Sequence, residues 1–170
     1  MGLAACGKSN HPTTAENDGV YVEAGPITYQ LQVSRELNQY AVEDKQYLAG
    51  LTPAESLVSP TQFWYMVSLW AKNQTNHPAV TSDNFVIVDT QGTRYYPVAV
   101  SPSLNPYVWT AQALAPGAIE PGPDTAASFG PTQGGLLLFK LNTAVYDNRP
   151  LTLVIRGQTG KVWGTISLDL

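Results

Sequence analysis

Hydrophobic and polar residues alternate in short runs along most of this chain, and Gly, Pro, Asn and Asp bound the runs. In residues 26–34, Ile27, Tyr29, Leu31 and Val33 alternate with Thr28, Gln30, Gln32 and Ser34. A period of two over that length predicts a strand with one buried and one wet face. Residues 63–72 also alternate, but both faces are apolar. Phe63, Tyr65, Val67, Leu69 and Ala71 make one face; Trp64, Met66, Ser68 and Trp70 make the other. Such a strand is expected at the centre of a sheet, covered on both sides. Trp64, Met66 and Trp70 make too large an apolar stripe to face water. The irregular segments 38–60 and 101–133 are expected to cover them.

Further strands are expected at 84–89, 93–100, 135–141, 151–156 and 161–170. Thr90-Gln91-Gly92 reads as a hairpin turn with Gly92 at positive φ, and Gly157-Gln158-Thr159-Gly160 joins the last two strands. Pro97 restricts its strand to an edge or a bulge. Residues 101–133 hold six of the thirteen prolines; a connection this long is commonly functional or partly disordered. Within it, Tyr107-Val108-Trp109-Thr110 is a strand-like island. Helical spacing occurs only in 41–58, through Val42, Tyr47, Leu48 and Leu51. There Thr52-Pro53-Ala54-Glu55 has the form of a capping box with Pro at the first helical position. The expected fold is all-β, an antiparallel two-sheet immunoglobulin-like β-sandwich of seven or eight strands.

The N-terminus has a different character. Leu3-Ala4-Ala5-Cys6 reads as a bacterial lipobox, in which small residues admit a signal peptidase and the cysteine is then thioether-linked to diacylglycerol. A signal also carries a positive region and an apolar stretch of roughly 7–15 residues. Only Met1 to Ala5 precede Cys6, so that part is expected to be absent or trimmed. N-myristoylation at Gly2 fits poorly, because Cys6 stands where that pattern wants Ser or Thr. The polar residues 7–19 read as a tether reaching about 20 Å on average. Residues 1–22 are therefore expected to be signal remnant and tether, and 23–170 the sandwich domain. The expected location is extracytoplasmic, lipid-anchored to the bacterial cell membrane.

Composition narrows the function classes. The 170 residues are 44% hydrophobic and 13% charged, with a net charge of −4. With no basic run, the chain is not expected to bind nucleic acid. The single cysteine excludes an internal disulfide and a thiolate-cluster metal site. Two histidines, His11 and His77, and two methionines do not make an ordinary zinc or copper site. No cofactor or metal is expected, and no G-x-S-x-G marks a hydrolase. Glycosidases need only two carboxyl groups about 5–9.5 Å apart. Of the thirteen Asp and Glu residues, Glu43 and Asp44 are sequence neighbours, and Asp83, Asp89, Asp124 and Asp147 sit at turns, where Asp caps backbone N–H groups. Asn73-Gln74-Thr75 is a formal glycosylation sequon, read as incidental.

What remains is binding. Tyr40, Tyr47, Tyr107 and Trp109 lie in irregular segments, where amphipathic rings serve as contact anchors; Glu43 and Asp44 accompany them. The alternative is that the rings plug the open ends of the sandwich.

The central strand ending in Asn73, the 83–89 segment with its Gln91-Gly92-Thr93 turn, Gly134-Gly135-Leu136-Leu137-Leu138-Phe139 and Arg149-Pro150-Leu151-Thr152-Leu153 together resemble the telokin-like, immunoglobulin-fold domains of uncharacterised bacterial lipoproteins. Ser34-Arg35-Glu36-Leu37-Asn38 followed by Glu43-Asp44-Lys45-Gln46-Tyr47-Leu48 resembles an actinobacterial-type subgroup. The resemblance covers residues 26–170, lacks the Cys and Trp spacing of antibody domains, and implies an extracytoplasmic domain without assigned catalytic residues. The expected function is a non-enzymatic envelope module that binds or scaffolds a protein or glycan. A carboxylate-dependent glycan hydrolase and a passive accessory domain of a membrane complex are the alternatives.

Overall fold

The computed structural model describes residues 11–168 and 170; the lipobox, Cys6 included, lies outside the described residues. In chain order the strands are β1 (Thr14–Ala15), β2 (Tyr21–Ala24), β3 (Ile27–Leu37), β4 (Gln62–Asn73), β5 (Ala79–Val80), β6 (Asn84–Val88) and β7 (Arg94–Tyr95). They continue with β8 (Ala113–Leu114), β9 (Ile119–Glu120), β10 (Gly135–Asn142), β11 (Leu151–Arg156) and β12 (Val162–Leu168). The helices are α1 (Val42–Leu48) and α2 (Ala126–Phe129), with a 3-10 turn at Thr143–Tyr146.

The fold is an all-β sandwich. One sheet has the order β1-β12-β11-β6-β7; the other runs β10-β4-β3-β2, with β9 also paired to β4. The inward faces of both sheets supply one core. Tyr29, Leu31, Tyr65, Val67, Leu69 and Phe139 come from one side; Phe85, Ile87, Leu153, Ile155 and Ile166 come from the other. These are the positions set by the period-two pattern.

β4 is central and buried on both faces, as its pattern required. Its outward residues Trp64 and Met66 join Leu136 and Leu138 of β10 in a second apolar cluster. Tyr47, Leu48, Leu51 and Val58 cover that cluster from one segment; Val98, Val100, Tyr107 and Val108 cover it from the other. We call this third layer the lid. Tyr47 to Val58, Tyr107 and Val108 come from the irregular segments expected to provide it, whereas Val98 and Val100 come from residues expected to be a strand. Trp70 departs from the expectation: it is only partly buried and lies outside both clusters.

Other boundaries moved for identifiable reasons. Thr14–Ala15, inside the expected tether, pairs in parallel with Thr165 and Ile166, because Ala15 fits the core edge. The domain therefore starts before residue 23, and one pairing is not antiparallel. Helical turns are not confined to 41–58. The side chains of Thr125 and Asn142 cap α2 and the 3-10 turn by accepting from Ser128 and Ala144 N–H. Conversely, the capping box at Thr52 forms its reciprocal bonds with Glu55 but closes only a turn. Residues 93–100 hold just the two-residue β7, with Pro97 bridging to Phe139 at the edge. Asn73 is fully buried and its amide donates to the carbonyls of His77 and Leu114. That amide is committed to structure, not to a glycan.

Trp64→Ala is expected to lower stability by about 3–5 kcal/mol, the usual cost of emptying a buried aromatic site. Trp70→Ala should cost clearly less, because its ring is only partly buried and lies outside both apolar clusters. Urea denaturation of the two variants beside the parent checks the order.

Candidate functional site

The lid is anchored by charge as well as by packing. Arg35, at the far end of β3, donates to both carboxylate oxygens of Asp44 in the first turn of α1, at 3.2 and 2.5 Å. The Asn38 N–H donates to the same carboxylate at 2.8 Å. The Arg35 guanidinium, with that N–H, holds the Asp44 carboxyl below its ordinary range against the opposing effect of burial. Ala41 offers no capping side chain, so an acidic residue near the helix start takes over part of that role. Asp44 is thus a buried anchor, where a contact residue was expected.

Tyr47 is likewise buried, in an edge-to-face contact with half-buried Tyr107, whose hydroxyl donates to Gln46. Asn105 ties the two halves of the lid together, its side-chain amide donating to the carbonyls of Tyr47 and Ala49. Lys140 of β10 clamps the other end through the carbonyls of Glu55 and Leu57, with its ammonium over the Trp64 ring. Trp109 is not part of the lid surface at all. It enters the main core between Tyr29 and Phe85, and its indole N–H donates to the Ser82 carbonyl. Both rings are therefore packing groups, Trp109 in the main core and Tyr47 beneath the lid on the outer face of β4.

Outward-facing groups remain on this support. Tyr40 and Val42 are each 81% exposed, Leu57 72% and Leu104 68%; Glu43 is exposed as well. Of the six candidates named from sequence, Tyr40 and Glu43 stand free at the surface and Tyr107 is partly so. Asp44, Tyr47 and Trp109 support them from below. Val42, Leu57 and Leu104 were missed, because a lone apolar residue in an irregular segment reads as core.

A separate open cleft of about 390 Å³ lies where the ends of the two sheets meet, lined by Gln62, Asp89, Thr93, Tyr95, Asn142 and Asn148 among others. Burial would raise the Asp89 carboxyl, but the N–H groups of Thr93 and Gln91 and the Asn148 amide outweigh it and keep it low. Asp89 is a turn cap. Among the described residues no three His, Cys, Asp or Glu side chains converge to hold a metal ion.

Glu120 was not singled out from sequence, since its neighbours Ile119 and Pro121 gave no sign of burial. It pairs with Ala71 of β4 and so points into the main core, facing Thr81, Gln112 and the Thr110 backbone. Its Oε2 has no hydrogen-bond partner. Burial pushes its carboxyl up to about 7.

No protein-family model and no curated protein matches the chain. The fold is similar to that of the yjhA protein from Bacillus subtilis, at 11% identity and a TM-score of 0.57, over 91% of this chain and 99% of that one. It is also similar to a conserved hypothetical protein from Bacillus anthracis, at 9% identity and a TM-score of 0.51, over 88% and 94% of the two chains. Likeness at such identity defines the class, a β-sandwich, and no activity.

Glu120 gives a pH dependence with a definite sign. Between its ordinary value of 4.5 and about 7, the unfolded chain has released a proton that the folded one keeps. Stability therefore falls as pH rises through that window, by about 3 kcal/mol in all. Glu120→Gln should remove this slope and raise stability at about pH 8. Denaturant midpoints on both sides of the window check it; an unchanged slope would assign the effect to another group.

Proposed function

We propose that this chain is a lipid-anchored, extracytoplasmic binding or scaffolding module of the bacterial cell envelope. On this reading its sandwich is immunoglobulin-like, of the telokin-like type seen in uncharacterised lipoproteins, and its partner is an envelope protein or glycan. The observation that carries the binding role is the lid. Exposed Tyr40, Val42, Leu57 and Leu104 stand on a layer held by the Arg35–Asp44 pair, the Asn105 amide and Lys140. Apolar and aromatic side chains on a rigid support favour contact, because little ordering entropy is lost when a partner arrives. The anchoring role rests on Leu3-Ala4-Ala5-Cys6. Seven residues separate Cys6 from Thr14, the first residue of β1.

A glycan hydrolase is the weaker reading. Asp44 and Asp89 are each held ionised by their donors, the wrong state for a general acid. A passive accessory domain differs from a binder in one measurable respect, the response of partner capture to lid substitutions.

Expressed behind a functional lipoprotein signal, the protein should partition into the detergent phase, and Cys6→Ser should return it to the aqueous phase; identical partitioning removes the anchor. In crosslinked pull-downs from native membranes, the double substitution Tyr40→Ser and Val42→Ser should reduce capture several-fold with little change in melting temperature. Unchanged capture identifies a spacer or a different face.

A further inference from the structure

The outer face of the β10-β4-β3-β2 sheet is covered only in part. Past Ser68, Trp70 of β4, Gln30 of β3 and Tyr21 of β2 stand in one row across the strands, since Tyr21 is in register with Gln30 and Gln30 with Trp70. Tyr21 is 40% exposed and Trp70 half-buried. Their rings meet edge to face with centroids 5.9 Å apart. The His11 ring lies 5.4 Å beyond, against Tyr21. The next residue, Pro12, accepts a hydrogen bond from the Glu23 N–H, so the chain enters the fold along the open edge of β2. The aromatic row therefore occupies a corner of the molecule, at the Asn73 end of β4. The lid covers the Gln62 end.

The covalent chain limits what this corner can meet. Cys6 precedes His11 by five residues, a span of at most roughly 17 Å when fully extended. A diacylglyceryl group on Cys6 would hold His11 within that distance of lipid headgroups, with the Tyr21 ring 5.4 Å from His11 and the Trp70 ring 5.9 Å from Tyr21. Tyr and Trp combine an apolar body with a polar tip and settle where hydrocarbon gives way to water.

We propose that the corner formed by His11, Tyr21 and Trp70 rests on the bilayer surface, so that the anchored domain takes a preferred orientation. The inference rests on the Cys6 anchor and adds the face that meets lipid. It leaves the lid, at the other end of β4, free for a partner. A diacylglyceryl group already carries the two acyl chains that stable attachment takes; the aromatic contacts at the corner add orientation to that anchor.

The test uses the full chain coupled through Cys6, its only thiol, to a maleimide lipid. The vesicles are phosphatidylethanolamine and phosphatidylglycerol carrying bromine on the acyl chains near the headgroups. Trp64 and Trp109 are buried, and the Trp163 ring packs closely against Gly25 and Gly157. Bromine is expected to quench the tryptophan fluorescence. Trp70→Phe should abolish most of that quenching, whereas Trp163→Phe should keep it. Acrylamide should reach Trp70 in vesicle-free protein and be shielded from it on vesicles. Equal bromine quenching in parent and Trp70→Phe, or none in the parent, overturns the proposal. So does acrylamide protection without vesicles, which would place residues 1–10 or a second copy on the corner. Because the coupling is chemical, the outcome does not depend on whether cells lipidate Cys6; detergent partitioning decides that separately.

Discussion

The rest of the structure depends on one constraint: β4 is apolar on both faces and both must leave water. A two-layer sandwich buries only one face of each sheet. The inner residues Tyr65, Val67 and Leu69 meet the opposing sheet, and that leaves Trp64 and Met66 exposed unless a further layer covers them. The chain meets this need with α1 and residues 98–108, too irregular to form a sheet but rich in Val, Leu and Tyr. The lid is thus a consequence of β4 and not an appendage. Its outer surface is rigid because its inner surface is core.

This constraint was legible in the sequence because alternation fixes which residues share a face. Of the seven strands of four residues or more, all but β2 fall in segments expected as strands, β3 and β4 by their alternation and β6 and β10 as short apolar runs. Tyr21-Val22-Glu23-Ala24 is too short to display a period, and polar residues precede it. The two-residue strands were illegible for a stronger reason. β5, β8 and β9 exist because neighbouring backbone is already in place to pair with; nothing in their own residues demands extension.

The candidate site was legible in outline and inverted in detail. Segments 38–60 and 101–133 were identified as the ones to cover β4, and both contribute, but the second part of the cover begins earlier, at Val98. Within them, the residues with the strongest chemical character turned out to be the fasteners. An acid, a tyrosine and a tryptophan are valuable inside a layer without regular hydrogen bonding, because each closes an apolar contact and a polar one together. Asp44 satisfies Arg35 and a backbone N–H; Trp109 packs on Tyr29 and Phe85 while its indole satisfies the Ser82 carbonyl. Val42, Leu57 and Leu104 were left at the surface beside Tyr40 and Glu43. Such assignments depend on contacts distant in sequence, Trp109 meeting Tyr29 of the sheet it borders and Phe85 of the opposite one, so no local pattern encodes them.

The proline-rich segment shows how a long connection stays ordered with few elements of its own. β10 lies at the edge of its sheet, and an open edge invites pairing with another chain. Residues 98–109 run along that edge instead. The Val98 and Trp109 N–H groups donate to the carbonyls of Leu138 and Leu136, and the Leu136 N–H donates to the Tyr107 carbonyl. Pro97 and Pro106 lack an N–H and interrupt any continuous ladder, so the cover is a series of separate bonds and not a fifth full strand. Gly135 completes the arrangement, because a Cβ there would strike the Trp109 ring. Trp109 can turn inward from this edge only because β10 begins with a residue that has no side chain. The same segment therefore closes the edge, fills the core and supplies half of the lid, which is why its length does not make it a loose loop.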